Sequence, residues 1–130
     1  LPNHVAYRDL LGKPFLLGAR GPDKFDCYGI CLEVGRRAGF NYPLLFTPTE
    51  TSMQDKCIKQ GIDECFDKIE IAESFCIVTF KITPPFVDHC GIVLPDSKHF
   101  IHTMKGHAVA VQRLDHKILA RRIDGFYRLR

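Results

Sequence analysis

No stretch of the 130 residues approaches the roughly 18 apolar residues that a membrane-crossing helix requires, so the sequence predicts no membrane span. A C-x-x-C pair is also missing. Cys27 and Cys31 are one helical turn apart, and His89 and Cys90 alternate on a predicted strand and so point to opposite faces. Neither pair makes a convincing set of ligands, so no metal and no cofactor are expected. Gly18-Ala19-Arg20-Gly21 lacks the lysine and the following helix of a phosphate loop. Charge of one sign is scarce in excess: 18 Lys plus Arg face 15 Asp plus Glu, too near balance to point to nucleic acid. The basic cluster Arg121, Arg122, Arg128 and Arg130 reads as a solvated face. Leu1 to Arg8 lack the basic-then-apolar pattern of a signal peptide. Repeats, linkers and low-complexity tracts are absent too.

What is present suits one folded domain over residues 1–130. Hydrophobic residues make up 45% and charged residues 25%, which is enough apolar material for a core that needs neither metal nor disulfides. Six cysteines are many for this length. Several fall on apolar periodic segments, where a free cysteine behaves as a small hydrophobe. If Cys27 is a working thiol, the remaining five cannot all pair, which favours a reduced protein made in a cytosol.

Val5 to Leu11 reads as a short helix ended by Gly12 and Pro14. Gly21-Pro22-Asp23 supplies turn chemistry. Asp26 is a good N-cap for a helix with Ile30, Leu32, Val34 and Ala38 on its apolar side and Gly39 at its end. Gly29 and Gly35 weaken that helix but permit close packing. Thr51 can cap a second helix, whose apolar face from Met53 to Phe66 continues to about Lys68. Strands follow at Phe75–Ile82, His89–Leu94, His99–Thr103, Ala108–Arg113 and Gly125–Leu129, with a hairpin turn at Pro95-Asp96-Ser97-Lys98. A short helix capped by Asp115 is expected up to Arg121. The class is α+β: N-terminal helices packed on an antiparallel β-meander of about five strands.

Cys27 falls in the first turn of the predicted helix, where partial positive charge and free N–H groups favour a thiolate and can hold an oxyanion. His89 opens a strand in the β half and can serve as its base. His102, on the next strand of the hairpin, can orient His89. His107 follows Gly106 in a loop and can reach substrate. His4, His99 and His116 read as surface residues. Singly, each of these residues has an ordinary structural explanation; their combination carries the argument.

At these residues the chain resembles the NlpC-type cell-wall peptidases, papain-like enzymes of bacteria and their phages. Gly12-Lys13-Pro14-Phe15-Leu16-Leu17-Gly18 with Phe25-Asp26-Cys27-Tyr28-Gly29 is similar to the family's nucleophile segment. His89-Cys90-Gly91-Ile92-Val93-Leu94 is similar to its base motif, and Phe100-Ile101-His102-Thr103 to the strand of its third polar residue. The loop Gly18-Ala19-Arg20-Gly21-Pro22-Asp23, the aromatic Tyr28, the segment from Gly106 to Val111 and the ending Gly125-Phe126-Tyr127-Arg128 resemble the phage tail assembly and tail-tip branch.

The resemblance implies a papain-like fold and a cysteine peptidase with Cys27, His89 and His102 as catalytic residues. The implied substrate is a peptidoglycan stem peptide, cut next to D-glutamate, often at its bond to diaminopimelate. Asp26, Tyr28 and Phe15 fall at substrate-binding positions, with His107 beside them. Other phage tail proteins are the further partners of that branch. The implied setting is synthesis in a bacterial cytoplasm, then the virion tail or the cell envelope. Phe15 stands where the family often has a tyrosine whose hydroxyl faces the site, and loss of one such donor costs about a hundredfold in rate. Tyr28 stands where a serine commonly helps bind the peptide's free amine; Asp26 is retained as a group for that amine. A tail module that keeps the fold without the chemistry, and an acyltransferase or amidase with a more apolar cleft, are the alternatives.

Overall fold

A computed structural model describes residues 4–130. Leu1 to Asn3, the beginning of the stretch read for a signal pattern, lie outside the described residues. Two helices, α1 (Cys27–Arg37) and α2 (Thr51–Cys65), precede six strands. These are β1 (Phe66–Ile69), β2 (Ile77–Phe80), β3 (His89–Val93), β4 (His99–Met104), β5 (His107–Arg113) and β6 (Ile123–Leu129). They form one sheet in the order β1-β6-β2-β3-β4-β5, and every neighbouring pair is antiparallel. The α+β layout is the one the sequence predicts, with one strand more. Among the described residues, no helix is long and apolar enough to cross a membrane.

The extra strand is β1. Local periodicity carries the second helix to Lys68, but α2 stops at Cys65 and Phe66 pairs with Leu129 in β6. The partner comes from the far end of the chain, and such pairing overrides a local helical pattern. The expected helix over Val5–Leu11 shrinks to a 3-10 turn at Arg8–Leu10, closed by Gly12 at φ +84°. Likewise only a 3-10 turn forms at Leu119–Arg122. Asp115 does not cap it, because its carboxylate pairs with Arg113; Nδ1 of His116 accepts from the N–H groups of Ile118 and Leu119 instead. In α2, Thr51 is the first helical residue and Glu50 the cap position, with no side-chain capping bond.

The sheet buries apolar residues on both faces, so β2 and β3 are buried at every position. One face carries Ile77, Cys90, Ile92 and Ile101 and packs on α1 through Ile30, Cys31 and Val34. The other gathers Val78, Phe80, Val93 and Phe100 under the segment around Leu114, Leu119 and Ile123. Burial of apolar surface of this kind stabilises by about 25 cal/mol per Å². Gly35 lets α1 meet the following loop: a Cβ there would lie 2.2 Å from the Tyr42 ring.

Candidate active site

The start of α1 is set by Asp26, which is fully buried. Its Oδ1 accepts from the Gly29 N–H at 2.7 Å and its Oδ2 from the Gly18 N–H at 3.0 Å. The Arg20 guanidinium pairs with Oδ1. Arg20 also donates to the Leu45 carbonyl at 2.7 Å and the Thr47 hydroxyl at 3.1 Å, so one side chain ties the helix start to the loop between α1 and α2. Gly29 is required by the same close approach, since a Cβ there would sit 2.4 Å from the Ala19 carbonyl oxygen. Asp26 therefore has no face open to a substrate amine. Its half-buried pair with Arg20 is instead the lock that fixes Cys27 in the first position of α1.

His89 is the first residue of β3, directly opposite Phe80 in β2, and its ring tilts over the Phe80 ring. The approach to it is held by Asp88, whose carboxylate accepts from the N–H groups of Ile82 and Thr83 at 2.8 and 3.1 Å. Asp55 of α2 accepts from the Val87 N–H at 2.8 Å. Nε2 of His89 lies 2.9 Å from Nδ1 of His102 in β4. Cys27 and His89 line the same cleft, and the Cys27 thiol acts on the His89 imidazole.

The charge states follow from this packing. Burial pushes the His89 imidazole below its ordinary pKa, while its bond to Cys27 pulls the other way. Burial, with a smaller electrostatic effect of His107 and His116, pushes His102 down to about 4. The Cys27 thiol is raised well above its ordinary value. A hydrogen bond with Cys90 is the chief cause and burial the next; His89 works in the opposite direction. Against the helix end that the sequence pointed to, a second thiol and the enclosing walls work to raise the thiol. At neutral pH the pair is a thiol beside a neutral imidazole.

Cys27, His89 and Cys90 line a cleft of about 680 Å³. Phe15, Leu16 and Leu17 form one wall, Leu45 to Thr49 another, and α2 contributes Thr51, Gln54, Cys57 and Ile58. Ile82, Thr83 and Asp88 precede His89, and Met104 to Gly106 reach in from the β4–β5 turn. Phe15 and Tyr28 both line this space. Tyr28 is otherwise buried, its hydroxyl donating to the Pro43 carbonyl at 2.5 Å. His107 is exposed and lies outside the lining, where Lys105 stands instead. His99 pairs with Asp96 at the hairpin turn.

Sequence reasoning missed Arg20, Asp55, Asp88 and Cys90. Of these, Asp88 carried a signal, an acceptor beside the histidine that opens a strand. All six cysteines are free, and among the described residues no group of three or more His, Cys, Asp or Glu is placed to hold a metal ion.

No family model matches the sequence, and no curated protein matches it. The fold is nevertheless similar to solved structures of the NlpC/P60 class. An NLP/P60 family protein similar to a lipoprotein, from Staphylococcus aureus, superposes with a TM-score of 0.67 at 21% identity, covering 92% of this chain and 37% of that one. NlpC2 from Trichomonas vaginalis gives 0.60 at 21% identity over 92% of this chain and 44% of its own, and NlpC1 from the same organism 0.58 at 23% over 91% and 40%. The chain thus spans less than half the length of each of these proteins. At this identity the likeness concerns the fold: this chain has an NlpC/P60-type fold.

Proposed function

We propose that the chain is a cysteine hydrolase that cleaves an amide bond of peptidoglycan stem peptides next to D-glutamate. The observation that carries the reading is that Cys27 and His89 line one cleft, with His102 2.9 Å from His89. If Nε2 of His89 donates to Nδ1 of His102, Nδ1 of His89 has a lone pair for the thiol. His89 then takes the Cys27 proton as sulfur attacks the carbonyl carbon and returns it to the leaving amine. His102 holds the ring and accepts from the imidazolium. Because the resting pair is neutral, proton transfer accompanies attack instead of preceding it. The N–H groups of Cys27 and Tyr28 open α1 and have no intrahelical acceptor, while that of Gly29 is occupied by Asp26; the first two are the donors for the oxyanion.

Lys105, the one cationic side chain of the lining among the described residues, suits a substrate that carries free carboxylates. The phage-tail setting, with synthesis in a bacterial cytoplasm and delivery to a virion tail or cell envelope, rests on the motif resemblance. So do tail proteins as further partners. Incubation with defined muropeptides tests the reading: wild type releases the γ-D-glutamyl product, and Cys27→Ala does not while keeping its circular dichroism. Equal release by both proteins would refute it.

A second reading, an amidase or acyltransferase, is favoured by the walls of the cleft. Phe15, Leu16, Leu45, Phe46, Ile58 and Met104 are apolar, and Leu16 and Phe46 are 52% and 78% exposed. Turnover of acyl donors in preference to muropeptides would select it.

A further inference from the structure

Cys31 and Cys90 lie side by side where α1 rests on the sheet. Their sulfurs are 4.0 Å apart, although 59 positions separate the residues in the chain. Cys31 stands one turn past Cys27 on α1, and Cys90 directly follows His89 in β3. The contact therefore joins the helix of the candidate nucleophile to the strand of its candidate base. Both side chains belong to the apolar core between α1 and the sheet. They differ in access: Cys31 is fully buried, whereas Cys90 stands in the lining of the cleft. One thiol of the pair is thus within reach of a small reagent, and the other waits behind it. The second contact of Cys31, an S–H donation to the Cys27 carbonyl at 3.4 Å, is a weak bond and does not bar a turn of the side chain. To bond, the sulfurs must close by about 2 Å, which rotation about χ1 can supply.

We infer that Cys31 and Cys90 are a redox-active pair, closed by hydrogen peroxide to an internal disulfide that locks α1 to β3 without consuming Cys27. In the first step Cys90 sulfur attacks one peroxide oxygen. An S–O bond forms, the O–O bond breaks, and water leaves with the thiol proton, so Cys90 becomes a sulfenic acid. In the second, Cys31 sulfur attacks Cys90 sulfur. The S–S bond forms, the S–O bond breaks, and a second water leaves with the Cys31 proton. Two protein thiols are oxidised and one peroxide is reduced to two waters. Cys31 is selected because its sulfur is the one that Cys90 meets at 4.0 Å across the helix–strand boundary. A cross-link between residues 59 positions apart restricts the unfolded chain, so the closed pair resists unfolding better than the open one. Neither the bond nor its effect on unfolding rests on the proposed function.

The test treats the reduced protein with a small excess of hydrogen peroxide at mildly alkaline pH, where more thiolate is present, and maps its peptides without reduction. Lys24 and Arg36 bracket Cys27 and Cys31 together, so trypsin leaves both in one peptide and variants make the assignment. Wild type and Cys27→Ala are both expected to lose the mass of two hydrogens and to join that peptide to the one containing Cys90, reversibly with dithiothreitol. The double variant Cys27→Ala/Cys31→Ala is expected to give no such link. A link that forms in wild type but not in Cys27→Ala would overturn the inference, because Cys27 would then be the partner. Sulfinic acid at Cys90 of Cys27→Ala with no link would overturn it too. Oxidised Cys27→Ala is expected to unfold at higher urea than its reduced form. An equal or lower midpoint in the linked protein would overturn the lock.

Discussion

Nε2 of His89 and Nδ1 of His102 stand 2.9 Å apart, so the two rings share one proton between them. Which ring owns it decides whether His89 has a lone pair for Cys27. His102 also packs on Phe100, which fixes its plane. Removing the acceptor in His102→Ala leaves the His89 ring free to take the other tautomer. The expected outcome is a fall in kcat of one to two orders of magnitude with KM little changed, roughly 1.4–2.7 kcal/mol of transition-state stabilisation. His102→Asn offers an oxygen near the same place and is expected to recover part of the loss. A merely structural role would not distinguish the two variants at equal stability.

The same histidines make folding sensitive to mild acid. His102 is held down to about 4 and His89 is also depressed, so between the ordinary 6.5 and the folded values the unfolded chain binds protons that the folded one refuses. Stability is therefore full above about pH 6.5 and falls as pH drops toward 4. The contribution of His102 is about 3 kcal/mol. Carboxylates such as Asp55 and Asp96 are lowered and add their loss at more acid pH, below the window of the histidines. Urea unfolding at pH 7 and pH 5 measures the difference, and His102→Asn is expected to flatten the slope.

Asp26 separates the two roles the sequence left open for it. With its carboxylate engaged by Gly18, Gly29 and Arg20, the substitution Asp26→Asn breaks the charge pair and keeps one capping oxygen. Breaking a buried pair destabilises by about 3–5 kcal/mol, and the part-exposed Arg20 brings the expectation to the lower end. The preference between free and N-acetylated stem peptides is expected to stay as in wild type. A selective loss for the free-amine substrate would restore a binding role.

The placement of the candidate site residues was more legible in the sequence than their surroundings were. Cys27 after an N-cap, His89 at a strand start and His102 one hairpin strand on are local patterns, and the fold brings all three together. Local patterns also gave the hairpin between β3 and β4. They failed where distant segments decide: β1 exists because β6 pairs with it, and Arg20 matters because Leu45 and Thr47 fold back over it. The Cys27 thiol followed the same rule. A helix start is visible in the sequence, whereas Cys90 in the same cleft wall is visible only in the fold.

That thiol yields a prediction of its own. Alkylation by iodoacetamide requires the thiolate, and Cys27 is raised well above the ordinary 9.0. Its rate, obtained as wild type minus Cys27→Ala, is expected to be slower at pH 7 than that of an unstructured cysteine and still rising at pH 9. Because His89 alone among the named neighbours favours the thiolate, His89→Ala is expected to slow alkylation further. A plateau near neutrality would show a preformed ion pair.

Packing of α1 against the loop that follows it rests on a missing side chain. The Tyr42 ring fills the space a Cβ on Gly35 would occupy, at 2.2 and 2.3 Å from two ring carbons. Tyr42 cannot simply retreat, because its hydroxyl donates to the Phe75 carbonyl and its ring stacks on Phe40 and Phe66. Gly35→Ala would gain about 0.5–1 kcal/mol from helix propensity alone. Overpacking costs about 1–3 kcal/mol, so the clash is expected to win and lower Tm by several degrees. Combining it with Tyr42→Leu, which removes the offending ring, is expected to cost less than the sum of the two single changes. Additive losses in that double-mutant cycle would mean that the ring and the helix do not press on each other.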